Sequence, residues 1–337
     1  MMKKIVALLF LVLPLTMVAQ DLQVVASANE HFENITSVSV SGEFCKINII
    51  SGDAIYVKGE LKATKQLEGY AIAFSEEAGE LKVNVQKPKS GWTTHSGIVD
   101  ITLPDGVNLN VVTSSGYITL NGISSSIISA QSKSGKIIAD NLEGKVTLKA
   151  KSASVKVNTI KGQLSMSTKG GAQVARNIDG AASFYSGSGA LLIENIKGAL
   201  KTETTDGAQT IKEVDGEIYL KTMSGAMKLS NASGNVKSLS AAGTLNLFDV
   251  TGVFNLVSTK GAIIGTRVKL SESSSFQTTE GKIKLKMLNS KESLSFVCES
   301  EHAYIVAFGK SKKKKLKTGS GAIVVTSVST TGAQSYY

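Results

Sequence analysis

The chain has 337 residues with 32 glycines, three prolines and one tryptophan, a composition typical of a secreted all-β protein. Its 37 Lys and Arg against 27 Asp and Glu give a net charge of +10. These basic residues are spread along the chain and mixed with acids, which argues against nucleic acid as a partner because a nucleic-acid interface concentrates them on one face.

Residues 1–20 predict a secretory signal peptide. Lys3 and Lys4 precede the apolar run IVALLFLVL, which is too short to span a membrane. The ending VAQ before Asp21 resembles signal peptides common in the Bacteroidetes. No later apolar stretch approaches ~18 residues, so we expect no integral membrane segment in the mature chain. The expected location is the cell surface, the extracellular space or the periplasm.

Residues 21–110 predict an N-terminal β-rich cap or a set of irregular first coils. Alternating apolar residues in SVSVSGEFCKINII and ELKVNVQK are typical of strands, and Gly and Asp turns separate them. The longest polar loop, KPKSGWTTHSG, contains Trp92. Its ring is a candidate ligand contact that could stack on a sugar; the alternative is that it covers the apolar end of the cap.

Residues 111–269 predict a regular β-solenoid, because glycine recurs there every nine residues. Only Ala153 breaks the series. The glycines stand at positions 135, 144, 162, 171, 180, 189, 198, 207, 216, 225, 234, 243, 252 and 261. Two kinds of segment alternate, and within both the apolar residues follow the period of two that a strand requires. We therefore predict an all-β, single-stranded, flattened β-solenoid whose 18-residue coils consist of two nine-residue halves that each start with glycine.

Three columns of residues at eighteen-residue spacing support this register. The column expected to point inward is Leu142, Ile160, Ile178, Ile196, Val214, Ala232, Val250 and Val268. The column expected at a corner is Asn141, Thr159, Asn177, Asn195, Glu213, Asn231 and Asp249, and asparagine tolerates the left-handed backbone of a corner. Charges alternate in Glu143, Lys161, Asp179, Lys197 and Asp215, and again in Arg176, Glu194 and Lys212. We interpret these charges as solvated ladders; a charged ligand groove is the alternative.

Residues 270–337 predict less regular C-terminal coils and a tail. Gly281, Glu301 and Gly321 follow one another at intervals of twenty, which suggests that the coils continue. A basic run lies between Glu301 and Gly321, and it is a candidate contact for an anionic surface or a polysaccharide. Its simpler interpretation is a set of charges that protects an exposed edge. The run consists of Lys312, Lys313, Lys314 and Lys315.

The sequence predicts no catalytic residue, no metal site and no cofactor. Asp179 and Asp215 lie two coils apart at roughly 10 Å, near the separation of an inverting carboxylate pair, but Lys197 lies between them. The glycine repeats lack the GGxGxD pattern of calcium-binding rolls. Cys45 and Cys298 are the only thiols, and whether they pair stays open.

The run DITLPDGVNLNVVTSSGYITLNGI, followed by repeated SGxI and IxG segments, resembles the bacterial putative-adhesin families of β-strand repeat proteins of unknown function. These include the related putative auto-transporter adhesin head domain. The resemblance covers roughly residues 35–325, implies a solenoid and supplies no catalytic residues.

We therefore expect a secreted, non-enzymatic adhesin or cell-envelope display protein. Its expected partner is a glycan or a protein at the cell surface, and its oligomeric state stays open. One alternative is a periplasmic scaffold or assembly partner. The other is a polysaccharide-binding or polysaccharide-active β-helix protein.

Overall fold

The computed structural model describes residues 21–91 and 93–337. The predicted signal peptide and Trp92 therefore lie outside the described residues. The N-terminal strands are β1 (Gln23–Phe32), β2 (Ser37–Gly42), β3 (Lys46–Ser51), β4 (Ile55–Ala63), β5 (Ala71–Glu77), β6 (Glu80–Gln86), β7 (His95–Leu103), β8 (Asn108–Thr113) and β9 (Ile118–Asn121). None of the described residues forms a helix long and apolar enough to cross a membrane.

The central and C-terminal strands follow in chain order. The central strands are β10 (Ser124–Ser132), β11 (Ile137–Ala150), β12 (Val155–Thr168), β13 (Gln173–Asp179), β14 (Ala182–Ser186), β15 (Leu191–Lys197), β16 (Leu200–Thr204), β17 (Gln209–Asp215), β18 (Ile218–Thr222), β19 (Met227–Ser240), β20 (Leu245–Ser258), β21 (Ile263–Leu270), β22 (Ser274–Thr278) and β23 (Ile283–Met287). The last strands are β24 (Leu294–Ala307), β25 (Lys310–Gly319), β26 (Ile323–Ser329) and β27 (Gln334–Tyr336), and a short 3-10 turn at Lys291–Ser293 precedes β24.

These strands form a flattened solenoid of about 10 turns with two faces. Face A carries β13, β15, β17 and β21, and face B carries β14, β16, β18 and β22. The longer strands β11, β12, β19 and β20 bend at a corner and contribute to both faces. Neighbouring coils pair in parallel with a shift of eighteen residues, as in Gln173 beside Leu191. The predicted two-faced, 18-residue solenoid is confirmed.

The core lies between the two faces and is filled by every second side chain. All eight residues of the predicted inward column, from Leu142 to Val268, are buried. Burying one Leu, Ile or Val side chain stabilises a fold by about 1.5–3 kcal/mol. The repeated column therefore supplies similar packing energy in each successive coil.

The corner that leads from face A to face B, here called the asparagine corner, has a left-handed residue in each coil. The backbone φ lies between 52° and 57° at all seven positions of the predicted corner column, Asn141 to Asp249. The side-chain amide of Asn195 donates a hydrogen bond to Asn177 Oδ1 at 2.8 Å. The predicted left-handed corner is confirmed. Three residues later comes a glycine such as Gly216, with φ 146°.

The corner that leads from face B to face A, here called the hydroxyl corner, carries a buried Ser or Thr three residues before glycine. Ser186 Oγ donates to the Gly189 carbonyl at 2.7 Å, and Thr168 Oγ1 donates to the Gly171 carbonyl at 2.7 Å. The buried hydroxyl residues are Thr113, Ser132, Thr168, Ser186, Thr204, Thr222, Ser240, Ser258, Thr278 and Ser329. The hydrogen bonds of Ser186 and Thr168 satisfy polar groups that burial would otherwise leave unpaired, whereas Ser258 Oγ has no partner among the described residues.

A buried glutamine bridges the two faces at intervals along the stack. Gln209 Nε2 donates to Thr204 Oγ1 at 2.9 Å and to the Lys221 carbonyl at 2.7 Å. Its Oε1 accepts from Thr202 Oγ1 at 2.5 Å. Gln334 in the coil of β26 and β27 makes the equivalent bonds. Its Nε2 donates to Ser329 Oγ and to the Glu299 carbonyl, and its Oε1 accepts from Ser327 Oγ.

Gln173 is a third member of this set, but one of its bonds is missing. Its Nε2 donates to Thr168 Oγ1 at 2.9 Å and to the Tyr185 carbonyl at 2.6 Å. Its buried Oε1 has no partner among the described residues. Met166 lies seven residues before Gln173, where Gln209 has Thr202, and a thioether cannot donate a hydrogen bond.

The N-terminal coils are stacked out of chain order. Strand β2 lies between β6 and β8, and β3 lies between β7 and β9. The first coil of the chain is therefore the second coil of the stack, and the later coil β6–β7 covers it. Antiparallel strands then close this end: β5 beside β6, β4 beside β7 and β1 beside β4.

The C-terminal coils are also stacked out of chain order, but here the later segment lies inside and the earlier segment covers it. Strand β26 lies between β22 and β24, and β27 lies between β23 and β24. The antiparallel strand β25 covers β24 and forms the outer edge. The glycine that stacks on Gly281 is Gly332. The coils continue toward the C-terminus, but not in the expected order of Gly281, Glu301 and Gly321. Strand β24 forms the outermost coil, and β26 and β27 lie between it and the coil of β22 and β23.

The two cysteines are buried at opposite ends of the stack and are free. Cys45 lies between β2 and β3, and Cys298 lies on β24. Burial raises the pKa of each thiol to about 11. Both thiols are thus protonated at neutral pH and pack as small apolar groups.

Candidate binding groove on face B

A groove of about 650 Å³ runs along the outer surface of face B, from β11 to β20. One wall residue comes from each of seven coils: Lys145, Gln163, Ala181, Ala199, Glu217, Asn235 and Val253. The opposite wall also has one residue from each coil: Thr147, Ser165, Ser183, Lys201, Tyr219, Lys237 and Asn255. Six steps of ~4.8 Å make the groove roughly 29 Å long, so it fits an extended ligand.

The groove exists because residues two apart on a strand project from the same face. The two walls are the residues on either side of a buried core residue such as Leu200. In the third coil of the groove both walls are small, with Ala181 and Ser183, and in the fourth coil one wall is Ala199. Neighbouring coils carry larger side chains such as Gln163, Lys201 and Tyr219, and this difference in size makes the surface concave.

Tyr219 is the one aromatic residue of the groove, and two lysines flank it along the solenoid axis. Lys201 precedes it by one coil and Lys237 follows it by one coil, in direct register. The Lys201 ammonium lies 5.8 Å from the centroid of the Tyr219 ring, and the Lys237 ammonium lies 5.9 Å from it. Both lysines are exposed and the tyrosine is half-buried. Both charges therefore remain open to a ligand.

The carboxylates beside the groove have partners of their own. Glu203 Oε1 accepts a hydrogen bond from Lys221 Nζ at 2.6 Å, and this bond raises the pKa of Lys221. Glu217 Oε1 accepts a hydrogen bond from Asn235 Nδ2 at 2.7 Å. The lining of the groove itself carries three lysines against one glutamate. Its electrostatic preference is therefore for anionic groups.

The floor of the groove offers its ligand side chains only. Strand β16 pairs with β14 on one side and with β18 on the other, so its backbone N–H and C=O groups are used within the sheet. A ligand on this face contacts hydroxyl, amide, ammonium and aromatic groups instead. This excludes recognition by strand addition at the groove, which requires free backbone groups at a sheet edge.

The predicted lysine run lies elsewhere. Lys312, Lys313, Lys314 and Lys315 are on β25, the outer edge strand at the C-terminal end, and all four are exposed. Lys315 Nζ lies 3.0 Å from Glu299 Oε1, and Lys313 Nζ lies 5.0 Å from the Tyr304 ring centroid. The run does not line the groove. It stays a predicted contact, as does Trp92, which the structure does not describe.

Face A carries one of the predicted charge ladders. Arg176 Nε lies 2.7 Å from Glu194 Oε2, and Lys212 Nζ lies 3.5 Å from Glu194 Oε1. The hydrogen bond from Arg176 is the largest influence that holds the pKa of Glu194 below its usual range. The predicted alternation of charge is thus confirmed for these three residues.

The candidate carboxylate pair is separated as the sequence predicts. Lys197 pairs in register with Asp179 on one side and with Asp215 on the other, and all three are exposed. Within residues 21–91 and 93–337, no three His, Cys, Asp or Glu side chains come close enough to hold a metal ion.

Sequence reasoning missed the groove and Tyr219. The signal was available in the register, because Lys201, Tyr219 and Lys237 follow one another at intervals of eighteen on an outward position of face B. The register alone does not show that the side chains in these columns differ in size from coil to coil, and it is this difference that forms the groove.

No protein-family model and no curated protein matches this chain. The solved structures that are similar to it include two proteins named for adhesion. One is a putative cell adhesion protein from Clostridium sporogenes, 12% identical, covering 94% of this chain and 99% of its own, with a TM-score of 0.21. The other is a putative adhesin from Parabacteroides merdae, 15% identical, covering 77% of this chain and 95% of its own, with a TM-score of 0.32.

Both are named for adhesion. Because both TM-scores are below 0.5, the function proposed next rests on the residues of this chain.

Proposed function

We propose that this protein is an exported, non-enzymatic adhesin that binds an extended ligand along the groove on face B. The groove is the observation that carries the proposal, since it follows the solenoid axis over seven coils and its walls combine polar and charged side chains with small apolar ones. Export is supported by the signal peptide predicted in residues 1–20.

The chemistry of the groove favours binding over catalysis. Its lining contains a single carboxylate, Glu217, and that carboxylate accepts a hydrogen bond from Asn235. Hydrolysis of a glycosidic bond requires two carboxyl groups that face one another across the bond. Adhesion requires only affinity, which hydroxyl, amide, ammonium and aromatic side chains can supply.

The solenoid also fixes the backbone positions from which these side chains project before a ligand arrives. Each coil is paired in register with its two neighbours, so the groove walls are fixed by the sheet. A binding surface that is already ordered loses less conformational entropy when it binds. A regular stack is therefore well suited to display an extended binding site.

Filling the groove tests the proposal directly. Ala181→Trp places an indole between the walls at the middle coils, and Ala190→Trp makes the same change at the hydroxyl corner, outside the groove. The purified mature protein is applied to an array of immobilised extracellular polysaccharides and matrix proteins. We expect Ala181→Trp to weaken retention about tenfold or more and Ala190→Trp to leave it unchanged. Equal retention of the two variants would contradict the proposal.

Location is a separate requirement of an adhesin. Intact producing cells are treated with protease, and the loss of this protein is compared with that of a known periplasmic protein. We expect loss of this protein while the periplasmic control survives. Full protection would overturn the adhesin proposal and favour a periplasmic scaffold.

A further inference from the structure

We propose that the ligand of the groove is an anionic polysaccharide, with a sugar ring stacked on Tyr219 and its acidic groups held by Lys201 and Lys237. The inference deepens the proposed function and rests on it. It names the chemical class of the ligand and the three side chains that select it.

Charge is the first argument. Lys145, Lys201 and Lys237 line the groove against Glu217 alone, and the amide of Asn235 already occupies one oxygen of that carboxylate. The other nearby ammonium, that of Lys221, is paired with Glu203. The groove thus presents an excess of positive charge along the axis while its neighbouring column is neutralised. Such a distribution attracts a polymer with repeated negative charges.

The position of the aromatic ring is the second argument. Tyr219 lies between the two lysines, which are two coils apart, or ~9.6 Å along the axis. In the free protein each ammonium lies over the Tyr219 ring, within about 6 Å of its centroid. An aromatic face also packs against the apolar C–H face of a sugar, so a bound sugar replaces an ammonium on one ring face and that ammonium turns to the acidic group. A uronic acid stacked on Tyr219 therefore has an ammonium within reach of its carboxylate on either side.

The remaining polar groups distinguish a polysaccharide from a peptide. The β-sheet floor has no free backbone groups, so a bound peptide would leave its own amides without backbone partners. A polysaccharide carries hydroxyl groups, and these pair with single hydroxyl and amide side chains. The groove supplies such side chains along its whole length, from Thr147 through Ser165 and Ser183 to Asn255.

A single-stranded nucleic acid fits the groove less well. Proteins that bind such strands usually provide aromatic side chains on which successive bases stack. The groove has one aromatic residue, and the same column one coil away in each direction carries lysine. Nucleic acid is therefore an outcome that the experiment must separate, with a single-stranded DNA as the probe.

The probes are oligogalacturonate, the same oligomer with its carboxyl groups methyl-esterified, a sulfated heparin oligosaccharide and a single-stranded DNA of similar length. Dissociation constants are measured for the purified mature protein at low and physiological salt. We expect at least one acidic oligosaccharide to bind, and binding to weaken as salt screens the charges. We expect the esterified oligomer to bind about tenfold more weakly or worse than oligogalacturonate.

Variants with matched controls assign the contacts. The double change Lys201→Gln and Lys237→Gln removes the two flanking charges, and Lys156→Gln with Lys228→Gln removes two exposed charges from face A. We expect the first pair to weaken binding of the acidic oligosaccharide about tenfold or more, and the second pair to leave it within about twofold. An equal effect of the two pairs would mean that net charge alone governs binding, and would overturn the inference.

The tyrosine has its own matched control. Tyr185 is exposed on face B in the column beside the groove and does not line it. We expect Tyr219→Ala to weaken binding about tenfold and Tyr185→Ala to leave it unchanged. Folding of each variant is checked by its thermal unfolding, since neither tyrosine is a buried core residue.

The outcomes separate this inference from the proposed function. If Ala181→Trp abolishes retention on the array but no acidic oligosaccharide binds, the adhesin proposal stands and this inference is wrong. If acidic oligosaccharides bind and Ala181→Trp has no effect, the groove is not the site and both are wrong. Single-stranded DNA that binds as tightly, with the same dependence on Lys201 and Lys237, would also overturn the polysaccharide assignment.

Discussion

The central coils and the two ends of this solenoid share one strand geometry but differ in chain order. Between β10 and β23 each coil lies beside the coil that precedes it in the sequence. At the N-terminal end the coil of β6 and β7 covers the earlier coil of β2 and β3. At the C-terminal end β24 covers the later coil of β26 and β27. The comparison shows that the repeat sets how coils stack, and that long-range returns of the chain set how the stack is closed.

This difference bears on how the ends are stabilised. In a strictly serial repeat protein the terminal unit has one neighbour and opens first. Here the last coil, β26–β27, has a neighbour on each side. Within the described residues, the antiparallel strands β1, β5 and β25 remain as outer edges. We therefore expect the amides of β26 and β27 to be protected from hydrogen exchange as well as those of a central coil.

The largest predicted effect comes from Tyr336 in that last coil. Its side chain is fully buried, and its ring centroid lies 5.3 Å from that of Phe296 on β24. Tyr336→Ala should cost about 3–5 kcal/mol of local stability, as for other large aromatic residues in cores. Hydrogen exchange should rise in β24 and β25 and stay unchanged in β14–β18. Tyr337→Ala, next to it and half-exposed, is the control; unchanged exchange in β24 would contradict the closing role of this coil.

Breaking the central stack requires a change at a corner. A Cβ at Gly216 would overlap the carbonyl oxygen of Gly198 in the previous coil, and its φ of 146° is unfavourable for other residues. Gly216→Ala should therefore destabilise the fold by about 3 kcal/mol. At Gly170 a Cβ would meet only Ser188 Oγ, at 3.6 Å. Denaturant unfolding should show little change for Gly170→Ala, and equal losses for the two variants would contradict the stacking argument.

The glutamine bridges allow a finer comparison within the central stack. Gln209→Met removes two donated hydrogen bonds and one accepted bond and should cost about 2 kcal/mol. Gln173→Met should cost about 1 kcal/mol less, because it also removes a buried oxygen that has no partner. The measurement is the shift in urea midpoint. A larger loss for Gln173→Met would show that the unpaired oxygen carries no penalty.

The smallest predicted effect is a gain in stability. Thr159 occupies the asparagine corner with φ 56°, a conformation that is costly for a β-branched residue. Thr159→Asn should stabilise the protein by about 1 kcal/mol, because asparagine tolerates this backbone at the equivalent position of neighbouring coils. The melting temperature should rise. Asn177→Thr, the reverse change one coil later, should lower it, and changes of the same sign would contradict the explanation.

The sequence predicts the central stack well because neighbours in space are there separated by a constant number of residues. The Leu142 column and the Asn141 column could be identified from spacing alone. The ends could not be predicted this way, since the pairing of β2 with β6 and of β26 with β24 depends on which segment returns to which coil. The wrong order of Gly281, Glu301 and Gly321 has this cause.

The polar interior was missed for a different reason. Ser186 and Gln209 are buried, yet polar residues in an alternating pattern are expected to face water. Their burial depends on hydrogen-bond partners that meet only once the coil has closed. The groove depends likewise on the relative sizes of side chains such as Ala199 and Tyr219, which belong to different coils. These side chains become neighbours only when the coils stack.

The out-of-order ends also constrain how such a molecule can change its length in evolution. A duplicated copy of residues 323–337 would find no open neighbour, because β24 already covers that coil. A duplicated 18-residue unit from the middle, such as residues 191–208, would insert between partners of matching register. Each insertion would lengthen the face-B groove by ~4.8 Å and leave both closures intact. Gene duplication inside the repeat would therefore adjust the reach of the binding surface in fixed steps.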